Sequence, residues 1–485
     1  MLFNSVEFLI FFPIVAALYF ACPYRYRWAL LLAASYYFYA AWKLEYIVLI
    51  IASTLLSYSA AILMVKPEYQ AKRTALLVIG LGSNLVILFA FKYFNFVNDS
   101  LQAVFDQFNL FYNVPMFQAL LPVGISFYTF QTLGYIIDVY RGQVEPERHL
   151  GRFALFVSFF PQLVAGPIER AANLLPQFYT KFHFDEARVT SGLRLMLWGM
   201  FQKVVIADRL GLYVNAVYNE PSAWSGWPVL IATFFFAFQI YCDFAGYSNI
   251  AIGAARVMGF NLMENFRRPY FAQSPAEFWR RWHISLSTWF RDYLYIPLGG
   301  NRVPLPRWYL NLMIVFVVSG LWHGAAWTFV IWGELHGLYV VGQAATKSSR
   351  SKLASRLGFD RRPTTLAVLS GLITFSLVCL AWVFFRANSI GDAFLLLGNM
   401  TPLTNFADLT APWATIVSNP AQEMALSLGL ILLLLLVHWV QEQPRSIPIL
   451  WQRPFWFRWA AYLSLALAIM NLGITEEVPF IYFQF

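Results

Sequence analysis

The stretch from Trp308 to Ala345 constrains this chain more than any other. It runs for 38 residues with a single formal charge, Glu334. As one straight helix it would be about 57 Å long, against about 30 Å of hydrocarbon in a bilayer. Basic residues flank it on both sides, Arg291, Arg302 and Arg307 before it and Lys347, Arg350, Lys352, Arg356, Arg361 and Arg362 after it. Loops rich in Lys and Arg face the cytoplasm, so both ends belong on one side. The stretch must therefore double back, as a hairpin or two broken helices, with its turn near Gly320 to Gly324. That turn puts His323 at the deep end, where irregular backbone is tolerated only against protein or a water-filled cavity. A histidine at membrane depth is costly to bury and is a functional candidate by default.

The remainder of the chain reads as a scaffold for such a segment. It is 59% hydrophobic and only 12% charged, where soluble domains carry about 25% charged residues. The net charge of +9 does not point to nucleic acid, because the basic residues sit in loops between apolar runs. Spans are expected near 5–21, 27–42, 44–64, 74–97, 118–140, 191–217, 229–258, 364–385, 422–440 and 456–474, together with the hairpin. The apolar start has no Lys or Arg ahead of it, so it reads as a retained first span rather than a cleaved leader. Basic loops on the inside then place both termini outside, with the long loop 386–421 and the tail holding Glu476 and Glu477. Without a linker or a strong internal repeat, residues 1–485 read as one domain. The expected fold is an all-α polytopic integral membrane protein, with about ten spanning helices plus re-entrant or broken ones.

Three segments depart from plain spans. Residues 153–165 form an apolar run too short to cross, interrupted by Pro161, and read as re-entrant or interfacial. The run 191–217 contains Arg194, Lys203, Asp208 and Arg209, so part of it must face protein or the interface. The run 229–258 carries Asp243, for which two readings fit: a proton or substrate site, or a hydrogen-bond partner for a neighbouring helix. Residues 262–307 hold seven basic and three acidic residues and read as a cytoplasmic amphipathic segment lying on the surface. Its Trp279, Trp282, Trp289 and Phe290 are expected at headgroup depth beside the arginines.

Of the six histidines, only His323 is enclosed by apolar residues and glycine on both sides. A buried neutral imidazole can accept a proton from a hydroxyl, which suits acyl transfer; it can equally bond a helix carbonyl and do nothing more. His336 precedes a basic run and fits the interface, and His283 lies between arginines and tryptophans, where interfacial hydrogen bonding is the default. His323 and Glu334 would lie about 16 Å apart along one helix, so they are no dyad. The cysteines Cys22, Cys242 and Cys379 show no paired spacing, and no GxSxG, Walker, HExxH or metal-ligand cluster is present. Serine-nucleophile and metal mechanisms thus have no motif support.

The segments WHISLSTWFRDYLYIPLGGNR (282–302), LWHG (321–324), YCDFAGYSNIAIG (241–253), LVAGPIER (163–170) and PFIYFQF (479–485) together resemble the membrane-bound O-acyltransferase family, in its bacterial alginate O-acetyltransferase-like branch. The resemblance implies a tunnel through the membrane lined by the family's signature histidine, His323, with His283 at its second polar position. It implies no resident cofactor and no metal, with acetyl-CoA as the acyl donor at the cytoplasmic face. There Arg280, Arg281 and Arg291, with Trp282 among them, would meet the donor, and Asp243 remains a candidate substrate contact. The acceptor hydroxyl would arrive from outside the inner membrane, on a polysaccharide such as alginate. A periplasmic acetyltransferase or esterase-like partner and a polysaccharide synthase complex fit a chain with no soluble outer domain. Peptidoglycan, cellulose and teichoic acid are alternative acceptors, and a lipid or sugar transporter or a structural export subunit would need no chemistry at His323.

Overall fold

The computed structural model describes residues 1–117, 122–164, 166–401, 410–443, 454–474 and 478–483, and among them every regular element is helical. Seven helices are long and apolar enough to cross a membrane: Leu44–Met64, Pro67–Gln107, Trp227–Met258, Leu305–His323, Pro363–Arg386, Pro420–Glu442 and Phe455–Leu472. Other expected spans also form helices, but shorter ones, Val6–Ala21, Arg27–Ala40 and Ile125–Tyr140. Glu186–Asn219 is continuous through a π-helical segment, Phe201–Ala207; it carries six charged residues and is not among the seven. Glu476 and Glu477, and residues 402–409 of the outer loop, lie outside the described residues.

The hairpin forms as its length demands. Leu305–His323 ends at His323, the chain reverses over Gly324 to Ala326, and Trp327–Ala345 returns alongside. The two arms approach closely because Gly320 and Gly333 face each other. A Cβ on Gly320 would stand 2.3 Å from the Phe329 carbonyl oxygen, and one on Gly333 would stand 2.3 Å from that of Phe316. Helices in lipid gain little from apolar burial, since the alternative environment is equally apolar, so close backbone approach is what binds them.

Residues 150–164 also behave as their length requires. Leu150–Ser158 and Phe160–Leu163 are short helices broken at Phe159 and buried almost throughout. They form a broken element buried inside the protein. The surface-lying expectation for 262–307 is corrected more strongly. Trp282 is fully buried, and Trp279, Trp289 and Phe290 are buried too. Ser274 caps Pro275–Arg281 by accepting from Glu277 N, while Glu277 accepts from Gln273 N, a reciprocal cap that starts the helix at a defined residue. The segment then plunges into the helical bundle instead of lying at headgroup depth. Sequence reading weighed its seven arginines, but the tryptophans all point the other way, into an aromatic core.

A charged group fixes the centre. Lys203 Nζ lies 2.7 Å from Asp208 Oδ1 and 2.6 Å from Asp243 Oδ1, all three side chains being at least 97% shielded. The other oxygen of Asp243 accepts from Ile481 N at 2.7 Å, which ties the C-terminal segment to the Trp227–Met258 helix. Asp243 therefore has the contacts of a structural partner between helices. Removing one member of a buried ion pair strands the others, at a cost of about 3–5 kcal/mol. Lys203→Met is expected to destabilise the protein by that order in thermal unfolding in detergent. Adding Asp208→Asn and Asp243→Asn should recover a large part of the loss.

Candidate active site

Two histidines separated by 40 residues in sequence meet at the end of the hairpin. His323 is 2% exposed and His283 is 0% exposed, and their ring centres stand 6.2 Å apart. His283 therefore does not lie at the membrane interface, as its arginine-rich neighbourhood suggested. His336 is likewise buried within protein; its Nδ1 accepts from Trp279 Nε1 at 3.3 Å. An aromatic shell holds the pair: Trp322 and Trp332 each stand 4.9 Å from the His323 ring, and Phe385 and Tyr482 each 5.5 Å. Phe244 stands 4.7 Å from the His283 ring.

Each histidine is delivered by a backbone irregularity. His323 closes its helix, so the last carbonyls of that helix have no intrahelical donor. Lys92 supplies one, its Nζ donating to Trp322 O at 2.7 Å and His323 O at 3.0 Å, while Tyr93 Oη donates to Leu321 O at 2.9 Å. Lys92 and Tyr93 belong to a π-helical segment, Phe89–Tyr93, a local widening that occurs often at functional sites. A cation at a helix C-terminus is also favoured by the helix dipole. His283 takes the left-handed conformation at φ 43 and ψ 55, which costs a non-glycine residue on the order of 1–3 kcal/mol and persists only where surroundings enforce it. Asn265 enforces it, its carbonyl accepting from Ile284 N at 2.9 Å and its side-chain oxygen lying 3.1 Å from His283 Nδ1.

The polar atoms of this centre are short of partners. Neither ring nitrogen of His323, nor Nε2 of His283, nor the Tyr482 hydroxyl makes a hydrogen bond among the described residues. Buried polar groups are normally paired, so a cluster left unpaired marks a place where something else binds. A cavity of about 70 Å³ reaches His323, lined also by Trp42, Lys92, Ser126, Phe127 and Tyr482. Burial this complete disfavours the charged form of an imidazole, which favours a neutral His283 ring.

The remaining candidates are spread out. Arg281 lies 2.8 Å from Glu277 and 2.5 Å from Glu442. Arg291 pairs with Asp292 at 2.7 Å on the surface. Arg280 is exposed and has no ion pair among the described residues. Trp282 packs among Phe266, Phe278 and Trp382. Lys92, Asn265 and Tyr482 were not singled out from sequence. Lys92 had a readable signal, a lone cation late in an apolar run. Asn265 and Tyr482 had none outside the tertiary contacts that use them.

The model of the family described as MBOAT, membrane-bound O-acyltransferase, matches residues 148–381, which include both histidines. A probable alginate O-acetylase AlgI of Pseudomonas putida is 38% identical, covering 100% of both chains. The corresponding protein of Azotobacter vinelandii is 40% identical over 89% of this chain and 83% of its own. A peptidoglycan O-acetyltransferase of Helicobacter pylori is 35% identical over 77% and 73%.

Access to the cavity can be checked chemically. In a background lacking Cys22, Cys242 and Cys379, Ser126→Cys is expected to react with a small thiol reagent much faster than Ala381→Cys. Ala381 is fully buried and away from the cavity.

Proposed function

We propose a function on the premise that this chain belongs to the membrane-bound O-acyltransferase family and is an O-acyltransferase embedded in a membrane. It moves an acetyl group from a cytoplasmic thioester donor, acetyl-CoA, to a hydroxyl of an extracytoplasmic polysaccharide. Alginate is the first acceptor to test, because two relatives bearing that name align over most or all of the chain. The observation that carries the reading is the buried pair His283 and His323, with unpartnered nitrogens, of which His323 lines a cavity.

The chemistry needs little else. A neutral His323 takes the proton of the acceptor hydroxyl as its oxygen attacks the acetyl carbon. The carbon–sulfur bond of the thioester then breaks, and the leaving thiolate takes the proton from the His323 imidazolium. Enclosure by Trp322, Trp332 and Phe385 keeps water away from the acyl group, which favours transfer over hydrolysis. Arg280, exposed and without an ion pair among the described residues, and Arg291, exposed and paired with Asp292, lie on the segment that carries His283 and are the side chains assigned to meet the donor's phosphates. Arg281 acts more as a brace than as a ligand, being held by two carboxylates. Trp282 forms wall, and Asp243 serves the C-terminal anchor.

Positive loops inside would put the cavity side of His323, with Trp42 and Ser126, on the outer face of the inner membrane and both termini outside. Final transfer to polymer proceeds directly or through a periplasmic acetyltransferase partner working with a polysaccharide synthase. The test is acetate released by mild base from purified surface polysaccharide, with membrane levels of the protein matched. His323→Ala is expected to lower transfer by about 10²–10⁴-fold, the usual contribution of a general base. Unchanged acetate on alginate, peptidoglycan and cellulose alike would defeat the assignment and favour a transporter.

A further inference from the structure

The least explained group near the histidine pair is Asn265. It is 1% exposed and lies in the loop after the Trp227–Met258 helix. Its Oδ1 sits 3.1 Å from His283 Nδ1, 3.0 Å from Ser285 Oγ and 3.3 Å from Ser285 N. Its Nδ2 donates to Ser248 Oγ at 3.1 Å.

These contacts determine where a proton lies. A backbone N–H can only donate, so the Asn265 atom facing Ser285 N must be the carbonyl oxygen rather than the amide nitrogen. The Ser248 contact on the opposite side agrees with that orientation. An oxygen cannot donate, so the His283 Nδ1 facing it must carry the hydrogen. A neutral imidazole has one N–H; Nε2 of His283 is therefore a bare lone pair. That atom is buried without a partner, in the ring that faces His323.

We propose that Asn265 is a positioning residue of the acyl transfer, fixing His283 in its Nδ1–H form so that the histidine pair has one proton direction. This rests on the reading of His283 and His323 as the reaction centre. With His283 able only to accept, a hydrogen shared between the two rings, whose centres stand 6.2 Å apart, comes from His323, directly after a small ring movement or through one bridging hydroxyl. His323 then presents its other nitrogen as a lone pair, which is the form a base needs. In the transfer step this lone pair takes the acceptor's proton while the new ester bond forms, and the resulting imidazolium returns it to the departing thiolate. Without the Asn265 acceptor, His283 can adopt the opposite tautomer, and the pair loses its direction.

The test reads tautomer and turnover separately. In protein labelled with ¹⁵N-histidine, with His283→Gln used for assignment, the His283 resonances of the wild type are expected to show Nδ1 protonated and Nε2 bare. Asn265→Leu should lose that state and lower acetyl transfer about a hundredfold or more, as tautomer loss does elsewhere. Asn265→Asp keeps an oxygen at the same place, with Ser248 turned to donate, and is expected to retain the tautomer and transfer within about tenfold of wild type. A wild-type His283 protonated on Nε2 would overturn the proposal. So would an Asp variant that folds, keeps the tautomer and is as inactive as His283→Gln, which also covers a Leu variant that fails to fold. Because the tautomer is seen without turnover, a result that removes His323 from catalysis would defeat the functional reading while leaving this assignment measurable.

Discussion

A polar group at membrane depth must find a partner inside the protein, and this structure follows from how that demand is met and where it is not. Lys203, Asp208 and Asp243 answer it with each other, and the spare Asp243 oxygen recruits Ile481 N. Asn84 answers it with Ser53, Ser57 and the Gly80 carbonyl, joining two spans. Lys92 meets the carbonyls left bare by the end of the hairpin helix. The imidazole nitrogens of His323 and Nε2 of His283 have no such partner among the described residues.

The site is assembled by departures from regular helix. Lys92 lies in one π-helical segment and Lys203 in another, and His283 occupies a left-handed position that side chains rarely adopt. Each departure turns a side chain toward the centre that a straight helix would have aimed elsewhere. Their strain is tolerable because the aromatic packing around them is dense: Trp332 stacks on Trp382 at 5.7 Å and meets His323, His336 and Phe385 at 4.9–5.1 Å. Such rings leave few alternative packings, so the histidines are held by shape as much as by hydrogen bonds.

The C-terminal segment shows how far the site reaches along the chain. Phe480 packs on Tyr247 at 4.8 Å, and Tyr482 packs on Phe244 at 4.8 Å while facing His323. Phe480 and Tyr482 are thus part of the wall around the histidine pair, anchored through Asp243. This gives the buried carboxylate a function that is structural in kind and still bears on the site.

Sequence alone determined the membrane class, the hairpin of 308–345, the break in the short run 153–165 and the exceptional position of His323. All of these follow from the length of apolar runs against a fixed bilayer thickness and from the cost of a bare polar group in lipid. Such constraints act locally, so they can be read locally. The tertiary structure brought His283, which only the resemblance had set with His323, against it, and alone decided that the tryptophans of 279–289 turn inward and that Asp243 is an anchor. It also brought Lys92, Asn265 and Tyr482 to the centre. Those outcomes depend on which of several energetically similar faces each segment presents. In an apolar medium that choice is made by packing between distant helices, which leaves little trace in the order of residues.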